Sequence, residues 1–77
     1  MTVADLFDGQ HGRVVLMNAE AGLESKLREI GFCEGDLIEV ITRGPLGGQP
    51  LAVRLNRRII AMRLDEAAAL VVDVHHG

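Results

Sequence analysis

The side chains in this chain that most often bind metal ions are spread along it rather than grouped. They are His11, Cys33, His75 and His76. A strong zinc or iron site would show tight spacing, such as Cys-x-x-Cys or His-x-x-x-His, and neither pattern is present. The sequence therefore predicts no metal site. A metal carrier that uses Cys33 and the two terminal histidines stays open as an alternative.

Catalytic chemistry has little support in the sequence. No nucleophile stands beside a base in a recognisable local motif, and the glycines of the segment 44–50 flank prolines, unlike those of a phosphate-binding loop. The adjacent Asp65 and Glu66 are better explained as the negative first turn of a helix. We therefore expect a protein that is not an enzyme and has neither catalytic residues nor a cofactor.

The arginines of the second half are the most informative charged feature. Arg54, Arg57, Arg58 and Arg63 surround Asn56 in the sequence and can meet phosphate or an acidic protein surface. The net charge of −3 and the absence of Trp and Tyr argue against nucleic acid. Two interpretations stay open for this cluster: a solvated hairpin tip, and a contact with an acidic protein partner.

Length and composition limit the class of protein. A chain of 77 residues makes one small domain, which we assign to 1–77. Its single cysteine permits no intrachain disulfide, which is compatible with a reducing compartment. The sequence shows neither a signal peptide nor an apolar run of the ~20 residues that span a bilayer. We therefore expect a cytoplasmic protein without direct membrane insertion.

Apolar periodicity predicts one helix and about five short strands. Glu20 to Ile30 has helical spacing, and Gly31 follows where a helix end favours a positive φ. Asp65 is expected to cap a short helical turn, and the glycine- and proline-rich loop 44–50 is expected to lack regular structure. The predicted strands are Arg13–Asn18, Leu37–Arg43, Leu51–Leu55, Arg58–Leu64 and Leu70–Val74. Such a pattern is typical of a small barrel or sandwich.

The alternating apolar residues of these elements form the expected core. The first strand is apolar on both faces, which suggests that it is covered on more than one side. The expected core residues are Val14, Leu16, Leu27, Ile30, Ile38, Val40, Val53, Ile60, Met62 and Val72.

Four groups of residues follow one another in a fixed order along essentially the whole chain. They are Leu6, Gly9, Gly12 and Val14; Leu27, Gly31, Phe32, Gly35, Asp36, Ile38 and Val40; Gly44, Pro45, Leu46, Gly47 and Pro50; and Ala61, Met62, Arg63, Glu66, Ala67, Val72 and Val74. In this order they resemble the FeoA family of small bacterial proteins. The resemblance implies a mostly β, SH3-like barrel with one helix after the first strand and a helical turn before the last.

The resemblance also implies a function in ferrous iron transport. Proteins of this kind are thought to support the FeoB permease, so the expected partner is its cytoplasmic GTPase region, reached by protein–protein interaction. An SH3-like module related to iron-dependent transcriptional regulators and a ferrous iron carrier stay open as alternatives, and so does a homo-oligomer. The residues expected to contact the partner are Phe32, Arg43, Leu46, Arg54, Arg57 and Arg63.

Overall fold

The computed structural model describes residues 1–74, in which a short 3₁₀ turn precedes five strands and two helices. The 3₁₀ turn is Val3–Asp5. The strands are β1 His11–Met17, β2 Leu37–Gly44, β3 Gly48–Leu55, β4 Arg58–Met62 and β5 Leu70–Asp73. The helices are α1 Ala21–Ile30, between β1 and β2, and α2 Leu64–Ala68, between β4 and β5.

The five strands form one antiparallel sheet in the order β4-β3-β2-β1-β5. This is the mostly β, SH3-like arrangement predicted from the sequence, with the helix and the helical turn where they were expected. Within residues 1–74 no ladder joins β4 to β5, so the sheet does not close on itself and keeps two edges.

Helix α1 has a defined start and stop. The Glu20 side chain accepts a hydrogen bond from the Leu23 N–H at 3.1 Å, which satisfies a free donor of the first turn. Gly31 ends the helix at φ 123°, and its N–H donates to the carbonyls of Leu27 and Arg28 at 3.2 and 3.1 Å. The predicted glycine stop is confirmed. Leu27 is the fully buried residue of this helix.

The core fills the inner side of the curved sheet. Seven of the ten expected core residues are buried, and Ile30 and Ile60 pack against them while half-buried. The buried apolar residues are Val3, Leu6, Val14, Met17, Leu27, Phe32, Ile38, Val40, Leu51, Val53, Leu55, Met62, Ala67, Ala69, Leu70 and Val72. The core therefore also takes in the 3₁₀ turn and α2.

The expectation that Leu16 is a core residue is wrong. A β-bulge shifts the pairing of β1 with β5 between Val14 and Leu16, so one residue is inserted into the alternation. Met17 consequently faces the core at 7% exposure, and Leu16 is 53% exposed. Val15 is 51% exposed, so β1 is not covered on both sides.

The segment 44–50 is more ordered than its composition suggested. Strands β2 and β3 continue into it, and the backbones of Leu46 and Gln49 bond to each other across the tip. A register shift between Arg43 and Gly44 takes Pro50 out of the regular ladder. Proline has no N–H to donate, and at this position the ladder does not require one. The expected irregular loop is therefore a hairpin with a tight turn.

The second helical turn also starts differently from the prediction. Helix α2 begins at Leu64, and Arg63 takes the cap position that was assigned to Asp65. The Glu66 carboxylate accepts a hydrogen bond from the Arg63 N–H at 2.8 Å. The cap is therefore supplied from within the helix, by a residue three positions after the cap, rather than by an aspartate in front of it.

Candidate protein interface

The β3–β4 hairpin separates the expected contact residues into two groups. Its turn is Asn56–Arg57, and Asn56 adopts φ 57°, which confirms the predicted turn. Arg54 and Arg57 lie at this end. Arg63 follows β4 at the other end, about 20 Å from Arg57 along the strand at ~3.3 Å per residue. The sequence cluster of arginines is therefore not one surface.

The second group lies near the β2–β3 turn. Arg43 pairs with Leu51 in the sheet, and Leu46 stands at the tip with 78% of its surface exposed. The Leu64 N–H donates to the Gln49 side chain at 3.0 Å, which places the start of α2 and Arg63 beside this hairpin.

Two of the expected contact residues have structural roles. Phe32 is 1% exposed and lies in the core, which corrects the expectation of a surface contact through it. The Arg43 guanidinium donates to the carbonyl oxygens of Ala4 and Leu6, at 2.7 and 2.5 Å, and so holds the N-terminal segment against the sheet. Arg43 is half-buried, and its Nη2 group makes both of these hydrogen bonds.

Arg58 also acts within the fold. Its guanidinium donates to the Ile30 carbonyl at 2.6 Å, at the end of α1. A positive charge at a helix C-terminus stabilises the exposed carbonyls there. Arg58 therefore secures the helix end, while its neighbour Arg57 is exposed at the turn.

The outer side of the sheet carries a row of charged side chains across three strands. His11, Glu39 and Arg54 follow one another through the pairings β1–β2 and β2–β3. The Glu39 carboxylate lies 3.4 Å from the Arg54 Nε and 3.8 Å from the His11 Nε2. Each of these groups is partly exposed, so their attraction contributes at most about 1 kcal/mol.

A shallow depression of about 260 Å³ lies beside this row. It is lined by His11, Leu37, Glu39, Arg54 and Asn56. Leu37 is 47% exposed, and Ile59, which pairs with Arg54 across the β3–β4 ladder, is 59% exposed. Apolar side chains rimmed by charged ones are typical of protein interaction sites.

This outer face, defined by His11, Leu37, Glu39, Arg54 and Ile59, was largely missed by sequence reasoning. Arg54 alone was among the expected contact residues. The alternation of residues along β2 did indicate this face: Leu37 and Glu39 occupy the positions that alternate with the buried Ile38 and Val40, and so lie on the outer side of the sheet. What the sequence did not give was the register that brings the residues of separate strands together.

Cys33 is exposed and is not activated as a nucleophile. The pKa of its thiol is raised, first by a hydrogen bond to the Asp36 carboxylate and further by that group's negative charge. A raised pKa lowers the thiolate fraction at neutral pH, and the thiolate is the form that attacks and binds metals.

A metal site does not emerge from the part of the chain that the structure describes. Within residues 1–74 no three His, Cys, Asp or Glu side chains converge in a way that could hold an ion. His75 and His76, which the carrier alternative invokes, lie outside the described residues. No helix among the described residues is long and apolar enough to cross a membrane.

Comparison with known proteins gives one family. The family model described as the FeoA domain matches residues 1–74. No curated protein matches the chain significantly.

Solved structures give the same family. FeoA from Stenotrophomonas maltophilia, a prokaryotic SH3 domain protein solved with zinc, is 33% identical with a TM-score of 0.80, over 95% of this chain and 89% of that one. Iron(II) transport protein A from Clostridium thermocellum is 31% identical with a TM-score of 0.88; the match covers 96% of this chain but 45% of that one. A manganese-dependent transcriptional repressor shares the fold alone, at 17% identity and a TM-score of 0.84.

Proposed function

Because the chain belongs to the FeoA family, we propose that it is an accessory protein of bacterial ferrous iron uptake that binds the cytoplasmic region of a FeoB-type permease. It acts in the cytoplasm by protein–protein contact and without chemistry of its own. The observation that carries this proposal is the family match over residues 1–74, together with the 31% identity to a protein that is called iron(II) transport protein A.

The outer face supports the contact role. Leu37 and Ile59 expose apolar surface beside the guanidinium of Arg54, and Arg57 adds a second positive charge at the adjoining turn. Arginine is enriched at protein interfaces, whose buried centre is more apolar than the rest of the surface and whose charged rim sets orientation. We therefore assign the permease contact to this face and the adjoining turn, and treat Leu46 and its turn as a separate, second patch.

The test is an amide NMR titration of the labelled chain with the cytoplasmic region of the cognate permease. Shifts that cluster on Leu37, Arg54 and Ile59 are the expected result. Shifts confined to Leu46 and its turn would move the contact to the second patch. A folded chain that shows no shifts at high partner concentration would contradict the proposal.

Substitution gives a quantitative version of the test. Arg54→Gln removes one positive charge from the face, and Leu37→Ser removes apolar contact area. Each is expected to weaken binding by about tenfold, which corresponds to ~1.4 kcal/mol. Asn18→Asp makes the same change in net charge at the far end of β1 and is the matched control, with binding expected within about twofold of the unmodified chain.

A further inference from the structure

Among residues 1–74, strand β4 is an edge of the sheet with free backbone groups. Leu55 and Arg58 pair across a two-residue turn, so they exchange both hydrogen bonds. Hydrogen-bonded and non-bonded pairs then alternate along the ladder, and Ile59 and Ala61 fall at non-bonded positions. Their N–H and C=O groups therefore point away from β3.

The other edge of the sheet is covered. Thr2 forms a bridge with Val71, and the Val72 N–H donates to the Met1 carbonyl at 2.9 Å, so the N-terminal residues shield β5. Within residues 1–74 no backbone hydrogen bond reaches the outward groups of Ile59 and Ala61. The two edges of the sheet therefore differ: the N-terminal residues cover β5, and within residues 1–74 no backbone segment covers β4.

The sequence of β4 does little to block pairing with another strand. Arg58–Met62 contains neither proline nor lysine, and the ladder gives no bulge in it. Natural proteins use these devices to protect exposed edges. The side chains of Ile59 and Ala61 are also exposed, so within residues 1–74 they leave room for an incoming strand.

The charges at the ends of β4 select against a second copy of this chain. The antiparallel pairing that uses all four outward groups of Ile59 and Ala61 is centred on Ile60. In that register Arg57 of one copy lies at the level of Arg63 of the other, just beyond the ends of the paired strands, and like charges placed this way repel each other. The same two arginines attract acidic residues.

We propose that β4 binds an extended segment of another protein as a sixth strand, and that this segment carries acidic residues at both ends of a short apolar stretch. Backbone hydrogen bonds to Ile59 and Ala61 would supply the affinity, and Arg57 and Arg63 would fix the register. The proposal deepens the proposed function, because it gives the chemistry of the permease segment that binds. It rests on the proposed function only for the identity of the protein that carries this segment.

Amide hydrogen exchange measured by NMR tests the backbone pairing directly. When the cytoplasmic region of the cognate permease is bound, the amides of Ile59 and Ala61 are expected to exchange at least tenfold more slowly than in the free chain. The amide of Ile60, which already bonds to β3, serves as the internal control and changes less.

Ala61→Pro removes the outward N–H without removing a bond to β3, because the lost donor faces solvent. It is expected to weaken binding at least tenfold. Ala61→Ser keeps the N–H at the same position and is the matched control, with binding within about twofold. If the proline variant does not melt as a folded domain, Arg57→Glu combined with Arg63→Glu replaces it, with the same expected loss.

The outcomes separate this inference from the proposed function. Permease binding with unchanged exchange at Ile59 and Ala61 would overturn strand addition and leave the proposed function standing. If the permease does not bind, a synthetic peptide with two acidic residues at each end of a Val-Thr-Val centre is the probe. Failure of that peptide to protect the two amides at millimolar concentration would overturn the inference. If protection of the two amides instead rises with the concentration of this chain in the absence of any partner, the added strand comes from a second copy of the chain.

Discussion

Glu66 is the one charged residue of the described chain that is buried, and its replacement by glutamine gives a sharp test of the packing between the helices. Its carboxylate accepts from the Arg63 N–H at 2.8 Å and lies 2.6 Å from the Lys26 Nζ on α1. Glu66→Gln keeps the shape and one neutral acceptor. It removes the charge from both interactions.

The expected loss follows from the two contacts. A hydrogen bond to a charged group contributes about 1.5–3 kcal/mol and a neutral one about 1 kcal/mol, so the bond to Arg63 weakens by roughly 1 kcal/mol. The Lys26 side chain is 55% exposed, so its ion pair contributes at most about 1 kcal/mol more. A total of about 2 kcal/mol corresponds to a fall in Tm of roughly 10 °C for a domain of this size.

The pH dependence has a definite sign. Burial acts to raise the pKa of Glu66, but the Arg63 N–H and Lys26 together outweigh it, and the pKa lies below its ordinary value of 4.5. A carboxyl whose pKa is lowered by folding stabilises the folded state fully above 4.5 and loses that contribution as the pH falls through the folded value. The difference between the unmodified chain and Glu66→Gln should therefore be largest near pH 7 and shrink below pH 4.5.

Thermal melts of both proteins between pH 3 and pH 7 measure this difference. Lys26→Met serves as the companion variant, because it removes the ion pair and keeps the charged bond to Arg63; it should cost about 1 kcal/mol. Equal melting temperatures for the unmodified chain and Glu66→Gln at pH 7 would refute the assignment of Glu66 as a stabilising buried carboxylate. A difference that stays constant down to pH 3 would refute the electrostatic explanation.

Two further predictions concern the core. Val40→Ala should cost about 2–4 kcal/mol, because a fully buried side chain is truncated in the centre of the sheet, and an unchanged melt would contradict its core position. Met17→Ala should cost about 2–4 kcal/mol while Leu16→Ala costs less than about 1 kcal/mol, because the bulge in β1 turns Met17 inward and Leu16 outward. The reverse order of these two losses in denaturant unfolding would show that the bulge is misplaced.

The order and type of the elements could be predicted from the sequence because the signals are local. Gly31 ends α1 where a positive φ was expected, and Asn56 forms the predicted hairpin turn. Both positions are decided by the backbone conformation that a single residue tolerates. The alternation of Ile38 and Val40 with exposed residues likewise fixes one face of β2 without reference to the rest of the chain.

The errors arise where one strand depends on another. The bulge that exposes Leu16 exists because β1 must match β5, and nothing in Arg13–Asn18 marks the inserted residue. The hairpin at 44–50 forms because β2 and β3 pair along their length, so tertiary pairing overrides the turn-rich composition of that segment. Phe32 was expected at the partner surface, and the packing of the fold instead places it in the core.

The candidate interface was the least predictable part for the same reason. The sequence places Arg54, Arg57 and Arg63 close together, yet the five-residue strand β4 separates the last from the first two. That separation leaves a positive charge at each end of an edge strand whose middle is uncharged. One arrangement therefore has two consequences: it sets like charges against each other when two copies pair, and it favours a strand with acidic ends. An edge that repels its own copy can stay exposed in the free protein without causing self-association. A protein that keeps a strand-binding edge available for a partner must meet this condition.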